Sequence, residues 1–324
     1  MNYIVMDLEW NQSYNGHLGE HPRMPFEIIE IGAVKVDKNY KIIDEYSSLI
    51  KPRIYKRLHS KIRTILNYTE KDFEKGRGFK EVCIEFLEWC GEDYMFCTWG
   101  NMDLTELQTN MDFYYMNRFP RPLKYINLQQ IYADITKSAD THVSCKLESA
   151  VTSLSIPETE PFHSALNDAR YTALVMKAIN PKNIKELYCF DLYHYPADKD
   201  EEIEAIHNNQ YEYITRAFSS KQAAMSDKNV SDVRCYKCNK KITKKIKWFS
   251  NSTSSYLCVG KCWRHGNFCG KIKFKPAADG KYYVIKTFKP IDKAGIEAIY
   301  QKQADIRQHR KEKRHSKNRK IRQA

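Results

Sequence analysis

The first 180 residues contain three consecutive strand-like segments, followed by strands and helices in mixed order. Apolar, mostly β-branched or alternating residues predict strands at residues 2–8, 27–36, 42–50 and 95–99. Apolar residues at helical spacing predict helices at about residues 79–90, 103–117, 146–154 and 165–179. Because strands come first and then alternate with helices, the sequence predicts an α/β fold, a mixed sheet flanked by helices.

Four acidic residues stand where such a sheet would bring them together. Asp7 and Glu9 are two positions apart on the first strand, so both project from one face. Asp103 follows the strand at 95–99, and Asp168 lies in the first turn of a late helix, five residues after His163. Converging carboxylates repel one another unless divalent cations neutralise them, and hard cations such as Mg²⁺ prefer oxygen ligands. The pattern therefore predicts a divalent-metal site.

Each part of this pattern also has an ordinary structural role. An Asp-x-Glu pair is usually a solvated strand face, Asp103 could cap a helix, and His163 could be a hydrogen-bonded surface histidine. The ordered combination is more specific than any part. It requires an acid pair on the first strand, an acid after a later strand, and His-x₄-Asp at the start of a late helix.

The residues around these positions resemble the DEDDh branch of the DEDD superfamily of 3′-to-5′ exonucleases. The segments that carry the resemblance are VMDLEW (5–10), EIIEIGAV (27–34), TWGNMDL (98–104) and HSALNDAR (163–170). Within that branch they are most similar to the group of histone-mRNA and small-RNA exonucleases and its KapD-like bacterial relatives. The resemblance covers about residues 1–180 and implies an RNase H-like fold and a two-metal phosphodiesterase.

The resemblance also assigns a role to each acid. In a two-metal reaction one Mg²⁺ or Mn²⁺ ion lowers the pKa of a bound water, and the second stabilises charge on the leaving 3′-oxygen. Asp7 is expected to bridge both ions. Glu9 and Asp168 complete the nucleophile-side metal, while Asp103 holds the other ion, partly through water.

Two further residues are expected to act beside the metals. His163 is the predicted general base, because the reference pKa of imidazole, about 6.5, suits proton removal near neutrality. Trp10, directly after Glu9, is the predicted stacking partner for the terminal bases, with a core or lid role as the alternative.

The charge of the chain divides near residue 200. Residues 1–200 hold 24 basic and 29 acidic side chains, whereas residues 201–324 hold 29 basic and 11 acidic ones, which together give the net charge of +13. A surplus of this kind favours a polyanionic partner. The resemblance to RNA exonucleases implies that this partner is single-stranded nucleic acid, with RNA preferred. The expected domains are an exonuclease domain (1–180), a helix and linker (181–231), a zinc-ribbon-like module (232–290) and a basic helical or disordered tail (291–324).

The third of these segments is too short to bury a large core and carries close cysteines and histidines, which is typical of a structural Zn²⁺ site. Alternating residues at 271–275 and 282–286 flank a turn and predict a β-hairpin, so the segment resembles a small β-rich zinc ribbon. The predicted ligands are Cys235, Cys238, Cys262 and His265, with Cys258 and Cys269 as alternatives for the second pair. The alternative to a zinc site is a small β unit in which these cysteines bind no metal.

The amino-terminal residues lack the features of a signal peptide, and no uncharged apolar stretch approaches 18 residues. We therefore expect a cytoplasmic protein with reduced cysteines and no membrane span. The main functional hypothesis is a metal-dependent 3′-to-5′ exonuclease acting on single-stranded RNA. The alternatives are a DNA 3′-to-5′ exonuclease and a catalytically idle regulatory protein that uses a nuclease fold to bind RNA or a partner.

Overall fold

The computed structural model of this protein describes residues 1–66, 68–136 and 145–323. The chain forms two compact units, which divide between Tyr193 and His194. Within the described residues, each unit is built on one sheet of six strands. In the same ranges, no helix has both the length and the apolar character needed to cross a membrane.

The sheet of the first unit is mixed, as the sequence predicts. Its strands are β1 (Asn2–Gln12), β2 (Phe26–Val36), β3 (Ile42–Leu49), β4 (Tyr94–Thr98), β5 (Lys124–Asn127) and β6 (Cys189–Phe190). They lie in the order β3-β2-β1-β4-β5-β6. Strands β1 to β3 are antiparallel, β4 and β5 run parallel to β1, and β6 is antiparallel to β5. The four strands predicted for this unit are thereby confirmed, and β5 and β6 are additional.

Helices cover both faces of this sheet. They are α1 (Ser60–Leu66), α2 (Phe79–Cys90), α3 (Met102–Phe113), α4 (Leu128–Thr136), α5 (Leu147–Ser153) and α6 (Ala165–Ile179). Alternate side chains of β1 point to opposite faces, so Ile4 and Met6 pack in one core with Phe86 of α2. Tyr3 and Val5 pack in a second core with helices α4 and α6. The predicted flanked sheet is therefore correct.

The same alternation positions the acids of β1. Asp7 and Glu9 continue the face that Tyr3 and Val5 occupy, so they emerge on the side of the sheet covered by α6. The pairing of β1 with β2 shifts by one residue between Glu9 and Trp10, which is a β-bulge. Bulges of this kind re-aim side chains and are common next to active sites.

The segment predicted as a helix and linker, 181–231, differs in the structure. It contains a 3₁₀ turn (Ile184–Glu186), strand β6, a hairpin of β7 (Ile203–His207) and β8 (Gln210–Ile214), and the short helices α7 (Lys221–Ser226) and α8 (Lys228–Ser231). Asn208 and Asn209 both have positive φ, of 45° and 53°, as a two-residue hairpin turn requires. The expectation of a polar linker was therefore wrong for residues 203–214. The glutamates that suggested a linker are paired within the hairpin, for example Glu212 with His207 at 2.9 Å.

The second unit is an antiparallel sheet that includes this hairpin. Its other elements are β9 (Thr243–Ser252), β10 (Ser255–Cys262), β11 (Gly266–Pro276), β12 (Tyr282–Pro290) and helix α9 (Lys293–Gln323). The strand order is β7-β8-β12-β11-β10-β9. The predicted hairpin at 271–275 and 282–286 corresponds to β11 and β12. The predicted zinc-ribbon-like module is thus four strands of a larger sheet that begins near residue 203.

The first turns of α9 belong to the core of this unit. Ile296 and Ile299 are buried against Ile246 of β9 and Val259 of β10. The segment predicted as a basic helical or disordered tail is therefore helical from residue 293, and it begins as a packed element. Its last residue, Ala324, lies outside the described residues.

Candidate active site and metal centres

The last residues of β1 extend beyond the end of its pairing with β4. The last paired residues of these two strands are Val5 and Cys97, since β4 ends at Thr98. The backbone N–H of Leu8 has no strand partner there and donates to Oδ1 of Asp103 at 3.3 Å. Asp103 lies in the first turn of α3 and is 5% exposed. Its carboxylate therefore joins the end of β1 to the first turn of α3, where it also accepts a hydrogen bond from its own backbone N–H.

Helix α6 brings the fourth acid to the same place because its first turn lies directly on β2. A Cβ atom on Gly32 would collide with the backbone of Ala165 and Leu166, so only glycine permits this approach. Buried Glu30 anchors the helix, since it accepts hydrogen bonds from the Ser164 hydroxyl at 3.2 Å and from the backbone N–H of Ala165. A carboxylate at a helix N-terminus is also favoured by the helix dipole.

Three carboxylates converge at this point. One oxygen from each of Asp7, Glu9 and Asp168 lies within 4.8 Å of the other two. Oδ1 of Asp168 is buried and, among the described residues, has no hydrogen-bond partner. Buried polar atoms are nearly always partnered, so an orphaned carboxylate oxygen facing two other acids fits a cation ligand.

The electrostatics of the four acids support the same conclusion. Burial and the neighbouring carboxylates raise the pKa of Glu9 to about 8, and burial raises that of Asp103 to about 7. Burial, with nearby acids, also raises the pKa of Asp168 to about 7 and that of Asp7 well above its ordinary value. After burial, the charge of Asp103 has the largest effect in raising the pKa of Asp7. The hydrogen bond from the N–H of Leu8 to Asp103 brings this acid to the residue that follows Asp7. Bound divalent cations would remove this repulsion.

The predicted general base lies at the rim of the acid cluster. The backbone N–H of His163 donates to Oδ2 of Asp168 at 3.3 Å, which couples the position of the histidine to that of a predicted metal ligand. His163 has a φ of 68°, in the left-handed region that non-glycine residues seldom adopt. Its half-exposed imidazole Nε2 lies 3.9 Å from Oε1 of Glu148 on α5. The ring is thus open to a substrate and has an acid beside it.

Trp10, the predicted stacking residue, is partly buried. Its ring lies against Phe26 with a centroid distance of 6.1 Å, and it packs on the core beneath β1. This packing agrees with the alternative expectation, a core role for Trp10, for the buried part of the ring. A role for the remaining exposed part in stacking on bases stays a prediction.

Sequence reasoning missed Glu30, Gly32 and Glu148. Glu30 stands in the middle of an otherwise apolar strand, and such an acid must find partners when it is buried. Gly32, two residues later, marks a close approach by another backbone. These two local signals were available in the sequence, whereas nothing in the sequence connects Glu148 with His163.

The second candidate metal centre lies in the second unit. The structure brings Cys235, Cys238, Cys262 and His265 together, with one ligand atom of each within 4.8 Å of the others. Sγ of Cys238 is 3.8 Å from Sγ of Cys262, and Nδ1 of His265 is 3.4 Å and 3.7 Å from the sulfurs of Cys235 and Cys262. A tetrahedral Zn²⁺ ion with Zn–S of about 2.3 Å and Zn–N of about 2.0 Å separates two sulfurs by about 3.8 Å and sulfur from nitrogen by about 3.5 Å. The four side chains fit such an ion.

The environment of these thiols also suits a metal. Although burial opposes it, hydrogen bonds from the backbone N–H groups of His265 and Arg264 lower the pKa of the Cys262 thiol to about 6. A thiolate is the form that binds zinc. The alternative ligands Cys258 and Cys269 lie within strands β10 and β11, outside the group of four. Burial raises the pKa of the Cys258 thiol to about 12, which is typical of a cysteine that packs as a small apolar residue.

The acid cluster predicts how stability depends on pH without divalent cations. Because the pKa values of Asp7, Glu9 and Asp168 are raised in the folded state, the folded chain binds more protons than the unfolded one. The free energy of unfolding therefore falls as the pH rises from about 4 to about 8. In EDTA at pH 8, Asp7→Asn should raise the melting temperature by roughly 3–10 °C, and at pH 5 by much less.

Differential scanning fluorimetry of the parent and the variant at both pH values measures this effect. Asp37→Asn is the matched control, since backbone N–H donation from Lys41 lowers the pKa of that exposed carboxyl. An Asp7→Asn variant that melts below the parent in EDTA at pH 8 would contradict the proposed repulsion.

The cysteine cluster predicts the metal content of the protein. The parent should contain about one zinc ion per chain, because the four ligands form a closed site. Cys262→Ser should lose this zinc and lower the stability of the second unit. Cys269→Ser should keep the zinc and the parental stability. Elemental analysis of the purified parent and the two variants measures their zinc content. Equal zinc content in the two variants would show that the second pair of ligands is assigned incorrectly.

Comparison with known proteins agrees with the site. The RNase T exonuclease family matches residues 4–176, which is more than half of the chain and contains all four acids and His163. The PolC-type DNA polymerase III of Thermotoga petrophila is 30% identical over 178 residues, covering 53% of this chain and 11% of the polymerase. The probable 3′-5′ exonuclease KapD of Bacillus subtilis is 29% identical over 122 residues, covering 37% of this chain and 57% of KapD. The chain thus spans only part of the length of either relative.

Among solved structures, the nuclease domain of 3′hExo, a DEDDh family member bound to rAMP, is similar with a TM-score of 0.48 and 18% identity, covering 57% of this chain and 94% of that one. The antiparallel β1–β3 and the parallel β1, β4 and β5 form the RNase H-like mixed sheet implied by the sequence motifs. The chain belongs to the RNase T exonuclease family, and its resemblance to the DEDDh 3′-to-5′ exonucleases is confirmed.

Proposed function

We propose that this protein is a divalent-metal-dependent 3′-to-5′ exonuclease that hydrolyses single-stranded nucleic acid, with RNA as the preferred substrate. The convergence of Asp7, Glu9 and Asp168 around an unpartnered buried carboxylate oxygen, inside the family match, carries this proposal. Asp103 beside Asp7 completes the set of four acids that the motifs imply. A scaffold without activity has no need of four neighbouring acids, buried or partly buried, that repel one another.

The chemistry can be followed on the residues of the chain. The four carboxylates would hold Mg²⁺ or Mn²⁺ ions, which would supply Lewis acidity to activate water and to stabilise charge on the leaving 3′-oxygen. His163 takes the proton from the attacking water, and Glu148, 3.9 Å from its Nε2, stabilises the protonated ring. Attack at the terminal phosphorus breaks its bond to the 3′-oxygen and releases a nucleoside 5′-monophosphate.

The second unit is proposed to bind the strand outside the active site. Residues 233–278 contain twelve lysines and arginines and no aspartate or glutamate. On β11, burial and the charges of Lys273, Lys289 and Lys302 lower the pKa of Lys271, the effect that neighbouring cations have on one another. Such a surface favours phosphates, and it binds them without reading the base sequence.

A DNA substrate is the second candidate. The similarity to PolC-type DNA polymerases favours it, because the matched region of those relatives lies in proteins named for DNA synthesis. The four acids and the histidine act on the phosphodiester and serve either sugar. Discrimination between RNA and DNA depends on contacts to the 2′-hydroxyl, so the preference for RNA rests on the likeness of the motifs to RNA exonucleases.

Incubation with 5′-labelled oligonucleotides tests the proposed activity. RNA in Mg²⁺ or Mn²⁺ should give a ladder that shortens from the 3′ end, and EDTA should abolish it. Asp7→Ala should reduce the rate at least about 1,000-fold, since removal of a ligand shared by the catalytic ions removes most of the electrostatic stabilisation. Asp37→Ala, at an exposed acid away from the cluster, is the control and should cut at the parental rate.

Two results would change the conclusion. Hydrolysis of DNA with no hydrolysis of a matched RNA would make the protein a DNA exonuclease. Tight RNA binding by the parent and by Asp7→Ala, with no turnover by either in Mg²⁺ or Mn²⁺, would identify a catalytically idle regulatory protein.

The basic surface can be tested in the full chain by its dependence on salt. Replacing Lys271, Lys273 and Lys289 with glutamine should weaken binding of a single strand and reduce the slope of log affinity against log salt by about 2, at about 0.7 for each lost phosphate contact. Glutamine at the exposed Lys38, Lys71 and Lys80 of the first unit is the control. Identical slopes for the two triple variants, measured by fluorescence anisotropy in EDTA, would rule out the proposed surface.

A further inference from the structure

The aromatic residues interspersed with the lysines of the second unit include Trp248, Phe249, Tyr256, Trp263 and Phe274, and the structure separates these five into two kinds. Phe274 is buried, and Tyr256 packs edge-on against it with a centroid distance of 5.7 Å. Phe249 packs on the core beneath α9. The indole Nε1 of Trp248 donates to the backbone carbonyl of Ser231 at 2.9 Å, and its ring contacts the core. These four rings stabilise the fold.

The fifth ring, Trp263, has no such role. Its side chain is 71% exposed, although burial of a large aromatic side chain is worth a few kcal/mol. It lies directly after Cys262 and two residues before His265, so both flanking segments belong to the candidate metal centre. The ring is therefore held outward on a short loop that the metal ligands fix at both ends.

Two basic side chains lie against this ring. Nζ of Lys240 lies 5.7 Å from the ring centroid, and Cζ of Arg264 lies 4.5 Å from it. Lys237, Lys241 and Lys261, on the same two loops or next to them, are also exposed. An exposed aromatic ring among cations, without a nearby acid in the sequence, complements a ligand that has both a flat π-surface and negative charge.

We propose that Trp263 is a stacking platform for one unpaired nucleobase, with Lys240 and Arg264 holding the phosphates that flank it. A nucleobase fits better than a protein side chain, because the cations at the ring, Lys240 and Arg264, favour a polyanion. Stacking uses the face of the base and ignores the sugar, so the subsite accepts RNA and DNA alike. The inference rests on the proposed function in that its ligand is the strand that the exonuclease would degrade.

Binding of oligonucleotides to the full-length protein tests this subsite. The probes are 5′-labelled ten-residue oligouridylate and oligothymidylate, with anisotropy measured in an Asp7→Asn background so that the probe is not cut. Trp263→Ala and Trp263→Leu should each weaken binding roughly 5- to 150-fold, because stacking contributes about 1–3 kcal/mol per base. Trp263→Phe should retain most of the affinity, since it keeps a ring. None of the three should lose zinc, because the side chain is exposed.

A second probe set locates the base. Single abasic sites placed along the oligothymidylate should weaken binding to the Trp263 parent at one or two positions and leave binding to Trp263→Leu unaffected there. Lys240→Gln should lower the salt slope by about 0.7 without changing this abasic profile. Together these results distinguish the contribution of base stacking on Trp263 from the contribution of the charge of Lys240 to binding.

Parental affinity in Trp263→Leu with zinc retained, or equal losses in the Leu and Phe variants, would overturn the proposal. The outcome is independent of the exonuclease assignment. A failure of the parent to cut labelled strands would leave the binding measurements intact. Normal cutting of dinucleotides by Trp263→Leu, together with unchanged affinity for ten-residue strands, would reject the subsite alone.

Discussion

The repulsion among four largely buried carboxylates is the constraint on which the first unit depends. Asp7 and Glu9 are held on one face of a central strand, and the early end of β4 admits Asp103. Helix α6 can add Asp168 only because Gly32 lets its first turn touch the sheet and Glu30 holds it there. The fold thus holds the four carboxylates together although they repel one another. Divalent cations bound there would remove this repulsion, and its removal would contribute to their affinity.

The second unit obeys a different constraint. Its sheet carries many like charges, and its core consists of small clusters around the cysteine loops, the strands and the first turns of α9. The proposed zinc ion would connect two loops that pack on one of these small clusters. In the proposed function the division of net charge between the halves would separate two tasks: the acidic half would hold cations, and the basic half would hold the strand.

Much of this structure follows from local patterns, and the exceptions have physical causes. Strands β1 to β4 and helices α2 and α6 were predictable because their apolar periodicity is strong, whereas β5 and β6 are too short to show one. The acids and the cysteine ligands were predictable because a metal site requires these residue types at this spacing. The hairpin of β7 and β8 was missed because the polar residues in and beside it are paired only in the folded chain, for example Glu202 before β7 with Arg216 after β8. The approach of Glu148 to His163 depends on tertiary packing and leaves no trace in the sequence.

Titration with Mn²⁺ followed by electron paramagnetic resonance tests the central claim most directly, because it counts the ions that the acid cluster binds. With the cysteine site already filled with zinc, the parent should bind two Mn²⁺ ions per chain saturably near neutral pH, and Asp7→Asn should lose this binding. An absence of saturable Mn²⁺ binding, or the same titration curve for the parent and the variant, would contradict the account.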